Sequence, residues 1–123
     1  MPETWQDLAR DSRKAANELV HRGRYRSAVS RAYYAVYSKL AYEFSEMGIE
    51  MPEGREGPSH AKLRSIVENR LTRLSRKERE ALSRIVGKSY VMRLYADYHP
   101  SDTMDSREAR EAVGAMRTVF EAF

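Results

Sequence analysis

The sequence has no cysteine. That removes disulfides, thiolate metal sites and a cysteine nucleophile together, and it fits a reducing compartment. No apolar run approaches the ~18 residues that a membrane-spanning helix requires. The opening Met1-Pro2-Glu3-Thr4-Trp5 is polar and acidic, unlike a signal peptide. A cytoplasmic protein without a membrane partner is therefore expected. The sequence has no serine elbow and no glycine loop of the phosphate-cradling kind. Histidine occurs three times, at positions 21, 60 and 99. The choice of catalytic sites is correspondingly short, and neither a metal nor a cofactor is expected.

What is present suits one helical core under a charged surface. A chain of 123 residues is the usual size of one domain, so residues 1–123 are expected to form one. Lys and Arg number 22 against 18 Asp and Glu, for a net charge of +4. This modest balance permits nucleic-acid binding without demanding it. Basic residues gather in Arg10 to Arg31 and in Lys62 to Lys88. In the second stretch acidic residues are interleaved, as on a solvated helix face. No short helix pair with a basic recognition helix stands out, which argues against an independent DNA-binding domain.

Thr4 and Asp7 have the spacing of a capping box, and Trp5, Leu8, Ala15, Ala16 and Leu19 recur at helical intervals until Gly23. These features predict a first helix over 4–22. From Tyr25, the set Ala28, Val29, Ala32, Tyr33, Val36, Leu40, Phe44 and Met47 keeps three-and-four spacing up to Gly48. This second helix is expected to be the longest and most buried. Residues 49–58 contain Pro52, Gly54, Gly57 and Pro58 and read as a mobile loop with little to bury. Ser59 can cap a third helix bearing Leu63, Ile66, Val67 and Leu71, and Ser75 with Glu78 opens a fourth. The fourth carries Leu82, Ile85, Val86, Leu94, Tyr95 and Tyr98, with Gly87 as an interior glycine that allows close packing. It should stop at His99, because Pro100 disfavours the α conformation before it. A fifth helix opens near residues 102–106 and carries Ala109, Ala112, Val113, Met116, Val119 and Phe120. The fold class is thus all-α, an up-and-down bundle of four to five helices.

The chemistry concentrates in Arg93-Leu94-Tyr95-Ala96-Asp97-Tyr98-His99-Pro100. On an ideal helix Arg93 and His99 lie about 120° apart, but Pro100 releases His99 from the helix. His99 can then turn toward a phosphate held by Arg93, or toward a second copy of the segment. Metal-free RNA cleavage needs an imidazole to move the 2′-hydroxyl proton and a guanidinium to hold charge developing on phosphorus. Asp97 can orient the imidazole. The competing reading is an i,i+4 ion pair between Arg93 and Asp97, with His99 as a simple helix cap. His21 suits a capping role at the end of the first helix. His60 is either structural or adjacent to a site.

Several stretches resemble the HEPN domain, the higher-eukaryote and prokaryote nucleotide-binding family of helical bundles. They are Gly23-Arg24-Tyr25-Arg26-Ser27-Ala28, Arg31-Ala32-Tyr33-Tyr34-Ala35-Val36-Tyr37, the Gly48 turn, Ser59-His60, and Arg93 with Ala96-Asp97-Tyr98. The resemblance implies a homodimer in which the fourth-helix ends meet in a cleft. It further implies a metal-independent endoribonuclease site formed by an Arg, four to six residues and a His. Arg93 and His99 fit that pattern as catalytic residues, with Asp97 and Tyr98 in support. The resemblance also implies an RNA substrate and a toxin–antitoxin pairing with a minimal nucleotidyltransferase. The alternative within the family is a non-catalytic subunit that docks a nucleotidyltransferase or a nucleotide. The chain departs from its close toxin relatives in having Leu94 after the Arg, and Pro100-Ser101 where a Tyr that receives AMP follows the His.

Overall fold

Two reciprocal capping boxes begin two of the five helices. Thr4 Oγ1 accepts from the Asp7 N–H while Asp7 accepts from the Thr4 N–H, and Ser75 and Glu78 repeat the arrangement. Each satisfies N–H groups that a helix start leaves unpaired. The computed structural model describes residues 3–51 and 57–123. In it α1 spans Trp5–His21, α2 Tyr25–Glu46, α3 Leu63–Arg70, α4 Arg76–Tyr98 and α5 Ser106–Glu121. No strand occurs among the described residues, as the all-α reading expects.

The chain leaves α1 and α2 through Gly23 and Gly48, at φ 74° and 71°. These are left-handed positions that only glycine takes at no steric cost. After Gly48, Ile49 donates its N–H to the Phe44 carbonyl, and its side chain is buried in the core. The start of the expected loop is therefore a packed helix cap. At its far end Tyr37 Oη donates to the Pro58 carbonyl at 2.6 Å. The expected mobility of this loop falls largely on residues 52–56, outside the described residues.

The α2 helix is the centre of the bundle, with α1, α4 and α5 packed around it and α3 lying on α4. This explains why Ala28, Val29, Ala32, Tyr33, Ala35, Val36, Leu40 and Phe44 are all buried on more than one face. Each large apolar side chain so buried contributes about 1.5–3 kcal/mol. At 23 residues α4 exceeds α2 by one, so α2 is the most buried helix but not the longest. The α3 helix starts later than its sequence suggests. Ser59 Oγ accepts from the Lys62 N–H at 3.1 Å and closes a preceding turn, and the helix begins at Leu63. Gly87 faces Arg64 of α3, whose Nη1 would stand 3.0 Å from an added Cβ. Its lack of a side chain thus lets Arg64 cross α4 and donate from Nε to Ser83 Oγ at 2.9 Å.

Candidate active site at the end of the fourth helix

Arg93 leaves α4 toward α2 and enters a cradle of tyrosines. Its guanidinium carbon lies 5.7, 5.4 and 5.5 Å from the ring centroids of Tyr33, Tyr34 and Tyr98, within the range of cation–π attraction. Nη2 donates to Tyr34 Oη at 2.9 Å. Nε stands 2.9 Å from Asp97 Oδ2, the i,i+4 pair that the spacing allows. The short distance makes this an ion pair, but the alignment is not that of a hydrogen bond, and buried Nε has no hydrogen-bond acceptor. Burial pulls the Arg93 pKa down. The Tyr34 hydroxyl that accepts from it, then Asp97 and Tyr98, more than offset this, so the net shift is upward and the side chain is a permanent cation.

His99 is placed differently. It lies just past the last helical residue, at φ −123° and ψ 72°, and its side chain is 53% exposed against 12% for Arg93. The imidazole packs on Tyr95, centroid to centroid 4.7 Å. Its Nδ1 is 3.8 Å from Asp102 Oδ2. Asp102 is thus the carboxylate at ion-pair distance from the imidazole, while Asp97 is engaged with Arg93. Among the described residues the partners of Arg93 and His99 do not overlap. The structure brings Arg93, Asp97 and Tyr98 together and leaves His99 to their side, in the turn leading to α5.

That turn is held by a residue from far away in the chain. Arg26, on the first turn of α2, donates from Nη1 to the carbonyls of Tyr95, Ala96 and His99 at 3.0, 2.8 and 3.2 Å. Its Nη2 donates to the Asp102 carbonyl. The last carbonyls of a helix have no partners within it, and they form its negative end. A guanidinium placed there satisfies both deficits and fixes the backbone on which His99 sits. Sequence spacing does not reveal this role, because 69 to 76 residues separate donor and acceptors.

Behind Arg93 lies a ring cluster that sequence reading left undecided. His60 Nδ1 and Tyr33 Oη share a hydrogen bond at 2.5 Å. The His60 ring also packs against Tyr37 at 4.8 Å and Tyr90 at 6.3 Å. Burial pushes the Tyr33 hydroxyl pKa up against the opposing pull of Arg93, so Tyr33 is a neutral phenol. His60 thus braces the floor of the arginine cradle. The one available signal was its position directly after Ser59.

On the outer side of α4, Val91, Tyr95 and Tyr98 are 50%, 46% and 65% exposed. Their spacing puts them on one face. Tyr95 and Tyr98 belong to the apolar pattern that predicted a core-facing stripe, and in the structure they face outward beside His99. No helix among the described residues is long and apolar enough to cross a membrane.

The chain matches the family model described as the HEPN domain over residues 2–123. It matches no curated protein and no solved structure. The match spans essentially the whole chain and agrees with the helical bundle: the protein belongs to the HEPN domain family.

Proposed function

We propose that this protein is a metal-independent endoribonuclease whose site is completed by a second copy, with Arg93 as the phosphate-holding cation and His99 as the proton-moving imidazole. HEPN membership is consistent with a nucleotide-binding or ribonuclease-type function. The observation that carries the finer reading is the under-satisfied guanidinium of Arg93. It is charged, braced by three tyrosine rings, and has one hydrogen bond among the described residues. Its geometry with Asp97 is imperfect. An arginine held this way is set to exchange a poor internal partner for a phosphate oxygen, to which it can donate twice. His99, half-exposed and near the Asp102 carboxylate, supplies an imidazole able to take up and return a proton.

The exposed stripe Val91, Tyr95 and Tyr98 adjoins both residues, and its apolar area supports dimerisation there. A toxin role with a nucleotidyltransferase antitoxin follows from the family pattern and belongs to the same proposal. A second reading, a non-catalytic subunit that docks a nucleotidyltransferase or a nucleotide, draws on the same pair. With Asp97 against it and only 12% of its side chain exposed, Arg93 also serves as a structural strut.

The test is cleavage of a mixed-sequence RNA in EDTA by the wild type, His99→Ala and Arg93→Gln. Wild-type cleavage reduced about 10²- to 10⁴-fold by His99→Ala is the expected outcome. Cleavage unaffected by either substitution, or no cleavage by a folded dimer, transfers the assignment to the docking subunit.

A further inference from the structure

The Asp97 carboxylate occupies the side of Arg93 that an incoming anion would use. A guanidinium grips an oxyanion best through two parallel N–H groups. In Arg93, Nη2 is committed to Tyr34 Oη at 2.9 Å, and Nε faces Asp97 Oδ2 at 2.9 Å. An anion approaching Nε therefore meets a carboxylate already in place, and two negative groups on one guanidinium repel each other.

The two members of this pair are held unequally. Arg93 has the Tyr34 hydrogen bond and three tyrosine rings independently of Asp97. The Asp97 side chain has the ion pair as its one polar contact among the described residues, and it is 26% exposed against 12% for Arg93. Local physics adds little to fix it. Asp97 stands one residue before the end of α4, where a negative charge opposes the helix dipole. A cation preceding an anion by four residues is also the weaker order for such a pair. The Arg26 guanidinium reaches the same helix end, but its hydrogen bonds go to backbone carbonyls. Of the two partners, Asp97 is the one able to swing into solvent while the other stays.

From this arrangement we infer that Asp97 is an autoinhibitory residue, whose carboxylate stands in for phosphate on Arg93 and must leave before the guanidinium takes an anion. The inference rests on the reading of Arg93 as the phosphate-holding cation and adds the regulation of that site. It gives Asp97 the opposite sign from a supporting residue. Neutralising a support lowers activity, whereas neutralising a plug raises it.

Two measurements separate this gate from the reaction it regulates. In the first, inorganic phosphate is titrated against the Arg93 Nε–H resonance in proton–nitrogen correlation spectra, the resonance being assigned by its loss in Arg93→Lys. Asp97→Asn keeps the shape of the side chain and removes its charge. It should tighten phosphate binding about fivefold, the upper range for an ion pair that solvent can reach. Asp97→Ala, which removes the polar group altogether, should act in the same direction. In the second, RNA cleavage in EDTA, Asp97→Asn should lower KM by a similar factor with kcat no lower than that of the wild type. The inference is overturned if both variants bind phosphate no more tightly than the wild type, or if phosphate leaves the Arg93 resonance unmoved in every form. Tighter phosphate binding by the variants, with no RNA cleavage by any form, rejects the ribonuclease reading and keeps the gate. Cleavage that is lost in His99→Ala, with a KM in Asp97→Asn no lower than in the wild type, keeps the ribonuclease reading and rejects the gate.

Discussion

The two ends of α4 are stabilised by different means. At the start, Ser75 and Glu78 satisfy each other's backbone N–H groups at 3.1 and 3.2 Å, within one turn of sequence. At the finish, the last turn of α4 contains no basic residue, and the carbonyls are collected by Arg26 from another helix. The first end forms wherever those four residues stand together. The second exists only once α2 and α4 have packed. The candidate catalytic residues lie at the second end, so the geometry around His99 depends on the tertiary fold, while the helix that carries Arg93 begins from a local signal.

Removing Arg26 should break this contrast most sharply. Arg26→Ala removes the guanidinium from the carbonyls of Tyr95, Ala96 and His99 at once, leaving Tyr95 and His99 with the backbone N–H groups of His99 and Asp102. Hydrogen bonds from a charged donor are each worth about 1.5–3 kcal/mol at most, and this cluster is partly solvated, so a total loss of about 2 kcal/mol is expected in urea denaturation. Amide exchange at residues 95–99 should accelerate more than exchange near Ser75, because the released carbonyls are all at one end. Arg26→Lys keeps the charge but not the fork, and should recover only part of the loss. A change in Arg26→Ala below about 0.5 kcal/mol, the usual range for an incidental surface substitution, would show that water caps this end equally well.

The same division separates what the sequence discloses from what it conceals. Local rules located the capping boxes at Thr4 and Ser75, the glycine exits at 23 and 48, and the stop before Pro100, and the structure has each of them. The pairing of Arg93 with Asp97 was also legible, being an i,i+4 contact. Relations between helices were not legible. Nothing local connects Arg26 to His99, His60 to Tyr33, or Arg13 to Phe120. Apolar periodicity placed Tyr95 and Tyr98 on the α4 face, but it cannot distinguish a stripe that meets the core from one that faces outward. At the end of α4 this means that the Arg93–Asp97 contact was readable and the supports around it were not.

The N-terminal end of α4 gives the smaller effects. Ser75→Ala removes the acceptor for the Glu78 N–H and should cost about 1 kcal/mol, as loss of a serine cap typically does. The loss should appear as a lower urea midpoint with an unchanged slope, because the surface exposed on unfolding is the same.

Glu78 makes the comparison dependent on pH. Hydrogen bonds from the Ser75 side chain, and then from its backbone, hold the Glu78 carboxyl below the ordinary value of 4.5. The folded value is the lower of the two, so on acidification the unfolded chain takes up the proton first. The stabilisation is therefore fully present above pH 4.5 and is lost as pH falls through the depressed folded value. Asp7 is shifted in the same direction by Thr4, and its contribution weakens over its own acid range, below 3.8. In thermal melts, Glu78→Gln should lie below the wild type at neutral pH and converge with it in acid. The acceptors of Arg26 are backbone carbonyls and not carboxylates, so Arg26→Ala should stay below the wild type throughout. Convergence of both variants would mean that the two ends of α4 share an electrostatic cause. Convergence of Glu78→Gln alone keeps the local carboxylate cap distinct from the long-range arginine cap that holds His99.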